Sequence, residues 1–339
     1  LPHWSGSCWF TRRHCRQRLR ICVWAVPKFD SFDGSNAGNR TIFESFVDEK
    51  FNMKTDARTL AQKYARKFAK ARWLPARHWY DLRDLMRLRT TTTDRQIDRR
   101  FRFVSESFYA HLRSRELLSK EPETNQWLEK NLKPDDIFLD IGANIGIFSL
   151  FVAARLNQNG HVYACEPHMP SAVQLMRNIA SNDLGDRISV LSVAVGGGNG
   201  FTRFKYRRWR SGASGSQLDT EGGAELEKSV GVELKCERTV DQLIAEGVIQ
   251  PPNLIKMDTD GVELLITGGM KKLLKGAQRP RSLMIEVQVG DYSKQKAFME
   301  SCGYELVNTV LYSKAKTAHE AGASLDEVGF NAFFEPKAA

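Results

Sequence analysis

The 339-residue chain has no run of 18 apolar residues, so no transmembrane helix is expected. It has no C-x-x-C pair among its six cysteines, Cys8, Cys15, Cys22, Cys165, Cys236 and Cys302. A zinc site is therefore not expected, even though Cys8, Cys15 and Cys22 repeat every seven residues beside His14. Cys165 and Cys236 fall in apparent strands and read as buried free thiols. A reducing compartment, the cytoplasm, is the simplest expectation. The chain has neither G-x-G-x-x-G nor G-x-x-x-x-G-K-[ST], which tells against a dinucleotide fold and against a P-loop. Internal repeats and long low-complexity tracts are also missing.

Acid is absent from the first 29 residues, which carry five arginines. A short apolar run, residues 21–26, gives this stretch a loose likeness to a targeting segment, but the run is too short for a signal peptide. The first residue is Leu, so a start further upstream is expected. Residues 31–40 read as a linker. Residues 1–135 hold 28 Lys and Arg against 16 Asp and Glu, a net +12, and the remainder holds 22 against 24, a net −2. The basic excess thus belongs to the N-terminal part, where it suits nucleic acid, an anionic surface, an acidic substrate or plain solvent.

Three regions follow: a basic segment over 1–40, a helical extension over 41–131 and an α/β domain over 132–339. Residues 56–73 are rich in Ala, Lys, Arg and Leu, with Leu60, Tyr64 and Phe68 at four-residue spacing. Thr90 to Thr93 with Asp94 reads as a break and N-cap. Ile97, Phe101, Val104, Phe108 and Leu112 then predict one long helix over 96–118.

From Asp136 strands and helices alternate, which implies a parallel sheet. Ile137, Phe138, Leu139 and Ile141 form a buried strand that runs into a glycine turn, Gly142 to Gly146, opening a helix. Gly142 permits a sharp turn and Gly146 a close approach to the helix N-terminus. An acid at the strand end, Asp140, suits a cationic ligand better than a pyrophosphate. The next strand ends in Glu166, 20 residues after Gly146, where a carboxylate can accept both ribose hydroxyls. S-adenosylmethionine fits both signals. Expected strands cover 162–165, 188–195, 201–206, 232–236, 254–257 and 283–287, with a closing antiparallel hairpin from 304–311 and 329–334. One helix is expected over 262–274. Asp140, Glu166, Asp258 and Glu286 would then rim one crevice.

Three segments carry a resemblance: Phe138-Leu-Asp-Ile-Gly-Ala-Asn-Ile-Gly146; Ala164-Cys-Glu-Pro-His168 with Leu175, Asn178 and Asn182; and Ile255-Lys-Met-Asp-Thr-Asp-Gly-Val-Glu263. With Thr239-Val-Asp-Gln-Leu243 they resemble the FkbM family of S-adenosylmethionine-dependent methyltransferases over residues 134–335. The family usually has Asp-x-Glu-Gly where this chain has Asp258-Thr259-Asp260-Gly261, a carboxylate one methylene shorter. The resemblance implies an α/β, Rossmann-like class I methyltransferase sheet, mostly parallel with an antiparallel last strand. It also implies O-methyl transfer to a hydroxyl of a sugar, glycan or other small metabolite.

The candidate cofactor contacts are Asp140, Gly142, Asn144, Gly146, Glu166 and Ala194. Methyl transfer from a sulfonium is an in-line displacement, helped by positioning and by a general base. Asp258, Asp260 and Glu263 are the clustered candidates for the base. Asp258 could instead contact cofactor, and Glu263 could favour the helix dipole. A magnesium site from the three is conceivable but not expected. Lys256 could anchor an anion or serve the strand, and His168 is expected to pack at the cofactor edge. The loop from Tyr206 to Ser216 carries Trp209, Arg210 and Ser214, candidates for an acceptor-binding lid. Two rivals stay open. One is a nucleic-acid methyltransferase gripped through the basic half, although no Pro-Pro-aromatic motif follows strand four. The other is a non-catalytic scaffold of the same fold.

Overall fold

The computed structural model describes residues 88–94, 96–115, 121–219 and 229–338, all within the compact unit Ala71–Ala339. The basic segment and the helices expected before residue 88 lie outside the described residues. In chain order the described elements begin with β1 (Leu88–Asp94), β2 (Arg99–Ser105), α1 (Phe108–Arg115) and α2 (Pro122–Asn131). Then come β3 (Ile137–Ile141), α3 (Ile147–Ala153), β4 (His161–Cys165), α4 (Met169–Ser181), β5 (Ile188–Leu191) and β6 (Ala194–Val195). They are followed by β7 (Gly200–Tyr206), β8 (Gln217–Leu218), β9 (Gly231–Arg238), α5 (Val240–Ala245) and β10 (Leu254–Met257). The chain closes with α6 (Glu263–Gly268), α7 (Lys271–Lys275), β11 (Ser282–Val287), α8 (Tyr292–Ser301), β12 (Tyr304–Leu311), α9 (Ser313–Glu320) and β13 (Phe330–Pro336).

A seven-stranded sheet in the order β12-β13-β11-β10-β3-β4-β5 is the frame. Strands β11, β10, β3, β4 and β5 are parallel, and β13 runs antiparallel between β11 and β12. β3 and β10 are buried along their whole length because helices cover both faces. Alternation divides their side chains between two cores. Leu139, Ile141, Ile255 and Met257 enter one, and Phe138 and Leu254 enter the other. A second sheet, β6-β9-β7-β8, is inserted between β5 and β10.

The long helix expected over 96–118 is instead the hairpin β1-β2 followed by the short helix α1. Arg99-Arg-Phe-Arg-Phe-Val-Ser105 alternates with period two: Phe101, Phe103 and Ser105 are buried, while Arg100 and Arg102 are exposed. The helical spacing of Ile97, Phe101 and Phe108, four and then seven residues apart, masked that alternation. The β-branched run Thr90 to Thr93 is strand rather than helix cap. Thr92 Oγ1 donates to the Ser114 carbonyl at 2.8 Å and so docks α1 on the hairpin.

The outer edge of β2 meets α4, and amides on one face of that helix complete its backbone hydrogen bonds. Asn182 accepts from Arg102 N–H at 2.8 Å and donates to its carbonyl at 2.7 Å. Asn178 accepts from Val104 N–H at 3.1 Å, and Gln174 donates to the Val104 carbonyl. The three amides stand four residues apart, which puts them on one helical stripe.

Two further expectations are divided by the structure. Residues 188–195 form two strands, β5 in the large sheet and β6 in the small one. Residues 262–274 form two helices, because the Gly196 carbonyl presses on Gly269, where an added Cβ would lie 2.6 Å away. Cys165 is buried as expected, whereas Cys236 on β9 is half-buried.

Replacing Asn182 by Leu should leave the Arg102 N–H and carbonyl unpaired beside α4. The expected loss is about 1–3 kcal/mol in urea unfolding. Leu at exposed Arg100 should cost far less.

Candidate active site

A cleft opens at the carboxyl ends of β3, β4 and β10. Gly142, Asn144, Glu166, Ala194, Asp258 and Asp260 line it, with His168 and Thr259. Ala213 and Ser216 from the loop between β7 and β8, with Gln217 and Leu218 of β8, also line it. Of the residues expected at the site, Asp140, Gly146, Glu263, Trp209, Arg210 and Ser214 do not line this cleft.

The turn after β3 builds the floor. Gly142, Asn144 and Gly146 all have left-handed φ, at 81°, 53° and 86°. Gly142 and Ala143 donate their N–H groups to the Cys165 carbonyl, each at 3.0 Å. Asn144 N–H donates to Glu166 Oε2 at 2.6 Å, and His168 N–H donates to Oε1 at 2.7 Å. Glu166 is thereby fixed at the end of β4. Burial pushes its carboxyl up to about 7 against the pull of those two N–H groups. The close approaches that exclude side chains at the glycines come from the protein itself. A Cβ on Gly142 would lie 1.9 Å from the Asp258 carbonyl oxygen, and one on Gly146 would lie 2.2 Å from Leu175 Cδ1. Gly146 therefore serves the packing of α4 against the turn.

Asp140 sits beneath the cleft, with 1% of its surface exposed. Its Oδ2 accepts from Ser149 Oγ at 2.6 Å, and Lys256 Nζ lies 3.8 Å from Oδ1. Lys256 stands beside Asp140 in the sheet register and is equally buried. It also bonds Asp258 Oδ2 at 3.3 Å and lies 5.0 Å from the centre of the Phe148 ring. Burial works against its charge, but Asp258 and Asp140 outweigh burial and hold the ammonium above its ordinary value. For Asp140 burial wins, and its carboxyl is raised despite Lys256 and Ser149.

Burial also pushes Asp258 up, yet the Lys256 charge and a hydrogen bond from Glu286 bring it below the ordinary range. Glu286, on β11, is the opposite case. Burial, with the charges of Asp258 and Glu263, pushes it up to about 8. Its Oε1 accepts from Tyr312 Oη at 2.8 Å and its Oε2 from Gln288 Nε2 at 2.9 Å. Asp258 is thus the anion of the pair and Glu286 the proton holder, and Glu286 does not line the cleft.

Asp260, in the left-handed region at φ 60°, accepts from Gly215 N–H at 2.6 Å. Asp260 is exposed at the surface, yet desolvation by the surrounding cleft raises its carboxyl, and Asp258 adds to the rise. Glu263 is turned inward. Its Oε1 accepts from Thr259 N–H and Oγ1, each at 2.9 Å, and from Gly261 N–H at 3.2 Å. It braces the Asp258–Gly261 loop from below.

The loop after β7 is anchored on both sides. His168 Nε2 is 2.9 Å from the Arg208 carbonyl, which can only accept, so Nε2 carries the proton. His168 Nδ1 then accepts from Ser171 Oγ at 2.8 Å. Ala213 and Ser211 are buried, and a Cβ on Gly212 would lie 2.6 Å from Ala110 N on α1. Trp209 is 64% exposed and packs its ring 4.9 Å from that of Tyr206. Arg210 is exposed, and Ser214 accepts from Arg113 at 2.5 Å. Arg113 and Tyr109 on α1, which flank this loop, were not legible as site residues. Their only signal was the basic excess of the N-terminal part.

The strand order, the antiparallel β13 and a carboxylate closing the second core strand define a class I methyltransferase fold. Residues 140–306 match the family model described as the methyltransferase FkbM domain, and through them the chain belongs to that family of S-adenosylmethionine-dependent methyltransferases. Over 192 residues the chain is 25% identical to the hexuronic acid methyltransferase AglP of Haloferax volcanii, covering 56% of this chain and 71% of that protein. Over 185 residues it is 26% identical to the AMB antimetabolite synthetase AmbE of Pseudomonas aeruginosa, covering 46% of this chain and 8% of that one. A solved precorrin-6y C5,15-methyltransferase from Geobacter metallireducens GS-15 has 14% identity and a TM-score of 0.38 over 70% of this chain and 93% of its own. That likeness adds nothing to the topology above. Among the described residues no helix is long and apolar enough to cross a membrane.

The cleft fits the cofactor. Asn144 Oδ1 is buried with no hydrogen-bond partner, while its Nδ2 donates to the Ala213 carbonyl at 3.3 Å. An acceptor so placed suits an ammonium donor. Glu166 takes one N–H on each oxygen and keeps acceptor capacity for hydroxyls.

Glu166→Gln should weaken S-adenosylhomocysteine binding at least about tenfold in calorimetry, a loss of about 1.4 kcal/mol. Asp140→Ala is a poorer probe, because it strips a buried partner from Lys256. A second expectation concerns pH. Folded Glu286 keeps a proton that the unfolded chain releases near 4.5, so its stabilisation is lost as pH rises toward about 8. The melting temperature should fall over that window, and Glu286→Gln, which has no proton to lose, should flatten the fall.

Proposed function

We propose that the protein transfers a methyl group to a hydroxyl of a sugar, a glycan or a related small metabolite. One observation carries the reading: Asp260 projects from the loop after β10 into the cofactor cleft, under an anchored loop of small and aromatic residues. The relation to a hexuronic acid methyltransferase supports a sugar acceptor. Residues 132–339 form the catalytic domain in this reading. Free thiols at Cys165 and Cys302 agree with work in the cytoplasm.

S-adenosylmethionine, when bound, supplies a methyl group on a sulfonium. The chain's own residues then have separate tasks. Asp260 is the general base. Its raised carboxyl is a better proton acceptor than an ordinary aspartate, and one of its oxygens stays clear of the Gly215 N–H. Asp258, kept ionised by Lys256, orients the loop and balances positive charge in the cleft. Glu263 positions both aspartates through the loop backbone and does not meet the acceptor. Trp209, Arg210 and Ser214 belong to the loop that holds the acceptor and excludes water.

Asp260→Asn should lower kcat by about 10²–10⁴-fold while S-adenosylhomocysteine affinity changes little. The acid limb of the wild-type pH profile should lie above the ordinary aspartate range and vanish in this variant. An unaltered kcat would remove Asp260 from the base role.

A further inference from the structure

Behind the loop between β7 and β8 lies a second cleft, lined by Tyr109, Arg113, Arg207, Arg208, Gly212 and Ser214. The loop is a partition. Ala213 and Ser216 face the cofactor cleft, whereas Gly212 and Ser214 face this one. Arg113 comes from α1 and Arg207 and Arg208 from the end of β7, so the fold draws three guanidinium groups to one cavity from distant parts of the chain.

The wall is held by part of their donors. Arg113 Nε donates to the Gly212 carbonyl at 2.8 Å, and its Nη2 donates to Ser214 Oγ. Arg208 Nη1 donates to Tyr109 Oη at 2.6 Å and lies over that ring, 5.2 Å from its centre. Among the described residues none of the three guanidinium groups forms an ion pair with a carboxylate. Three like charges converging on one cavity repel one another, and an oxyanion among them removes that cost. The planar fork of arginine matches a carboxylate or a phosphate with two parallel hydrogen bonds. The cleft also communicates with the acids. Gly215, at the partition, donates to Asp260, and the charges of Arg113 and Arg207 both act on the Asp260 carboxyl.

We propose that this arginine cleft is the anion-binding part of the acceptor site, and that it takes a carboxylate or phosphate carried by the acceptor so that a neighbouring hydroxyl is presented to Asp260. The proposal rests on the reading of the protein as a methyltransferase of sugar hydroxyls and deepens it: the acceptor is an acidic sugar rather than a neutral one. The tyrosine in the lining offers a face for the sugar ring.

Binding to the full chain, loaded with S-adenosylhomocysteine, tests this without turnover. The probes are glucuronate, glucose 6-phosphate and methyl glucoside, titrated by ligand-observed NMR. The variants are Arg113→Gln and the double change Arg207→Gln with Arg208→Gln. Arg113 also ties the partition, so the double variant, made at exposed side chains, keeps the test independent of folding. At least one acidic probe should bind about tenfold or more tightly than the glucoside, and both variants should abolish that preference. Glucuronate preferred over the phosphate would identify a carboxylate acceptor; the reverse order would identify a phosphorylated one. Equal binding of neutral and acidic probes overturns the proposal, and so does a preference that survives the double variant. Displacement of the acidic sugars by a short RNA at a hundredth of their concentration also overturns it, in favour of a nucleic-acid acceptor. S-adenosylhomocysteine binding without any acidic-sugar binding sinks the arginine cleft and leaves the methyltransferase assignment standing. Acidic-sugar binding at this cleft with no methyl transfer to those sugars upholds the cleft and counts against the sugar-hydroxyl reading.

Discussion

A single buried ammonium organises the centre of this protein. Lys256 stands between Asp140 on β3 and Asp258 just beyond β10, where the two core strands lie side by side. Removing Lys256 and Asp140 from water is expensive, and only the attraction among the three groups with hydrogen bonds offsets the cost. Ser149 supplies one such bond to Asp140, and Glu286, protonated, supplies another to Asp258. The arrangement fixes where the loop after β10 departs from the sheet. The Asp258 carbonyl packs on Gly142 from there, and Asp260 is thrown forward into the cleft. A neutral residue at 256 would leave the buried Asp140 carboxylate and the half-buried Asp258 carboxylate without the cation between them.

The core strands were readable because burial on both faces demands unbroken apolar runs, and the helices between them keep regular spacing. Residues 254–257 form a strand with the bounds their sequence suggests. The hairpin was not readable in the same way. Phe101 and Phe103 alternate, but Ile97, Phe101 and Phe108 also satisfy a helical period. What decides between them is α4, some seventy residues further along, whose amides accept a strand edge and not a helix. The acids separate along similar lines. Glu166 and Asp258 end strands, and strand ends face the cleft in an open α/β sheet. Asp140 also lies near a strand end, yet it points under the turn, where a charge in the next strand claims it. Glu263 has the composition of a catalytic residue and the surroundings of a brace. Arg113 could not be found at all, since no spacing links residue 113 to residues 207 and 208.

The loop after β7 therefore has two working sides. Its buried backbone, pinned by His168, Ser171 and α1, separates a cavity rich in acceptors from one rich in donors. The hairpin and α1 lie outside the residues matched by the family model. They nevertheless supply Tyr109 and Arg113 to the second cavity, which in the proposed reading makes this added element a source of acceptor choice.

The amide ladder of Gln174, Asn178 and Asn182 reads only the backbone of β2. It occupies the polar groups that a foreign strand would otherwise pair with, so the β2 edge is closed to strand addition without a proline. It also frees the outward residues of β2 from any need to match α4. Over evolutionary time Arg100 and Arg102 can drift independently, whereas the three amides have no substitute of equal reach. Variation in this hairpin and invariance in that helix would then be two aspects of one contact, and covariance between them would be missing although they touch.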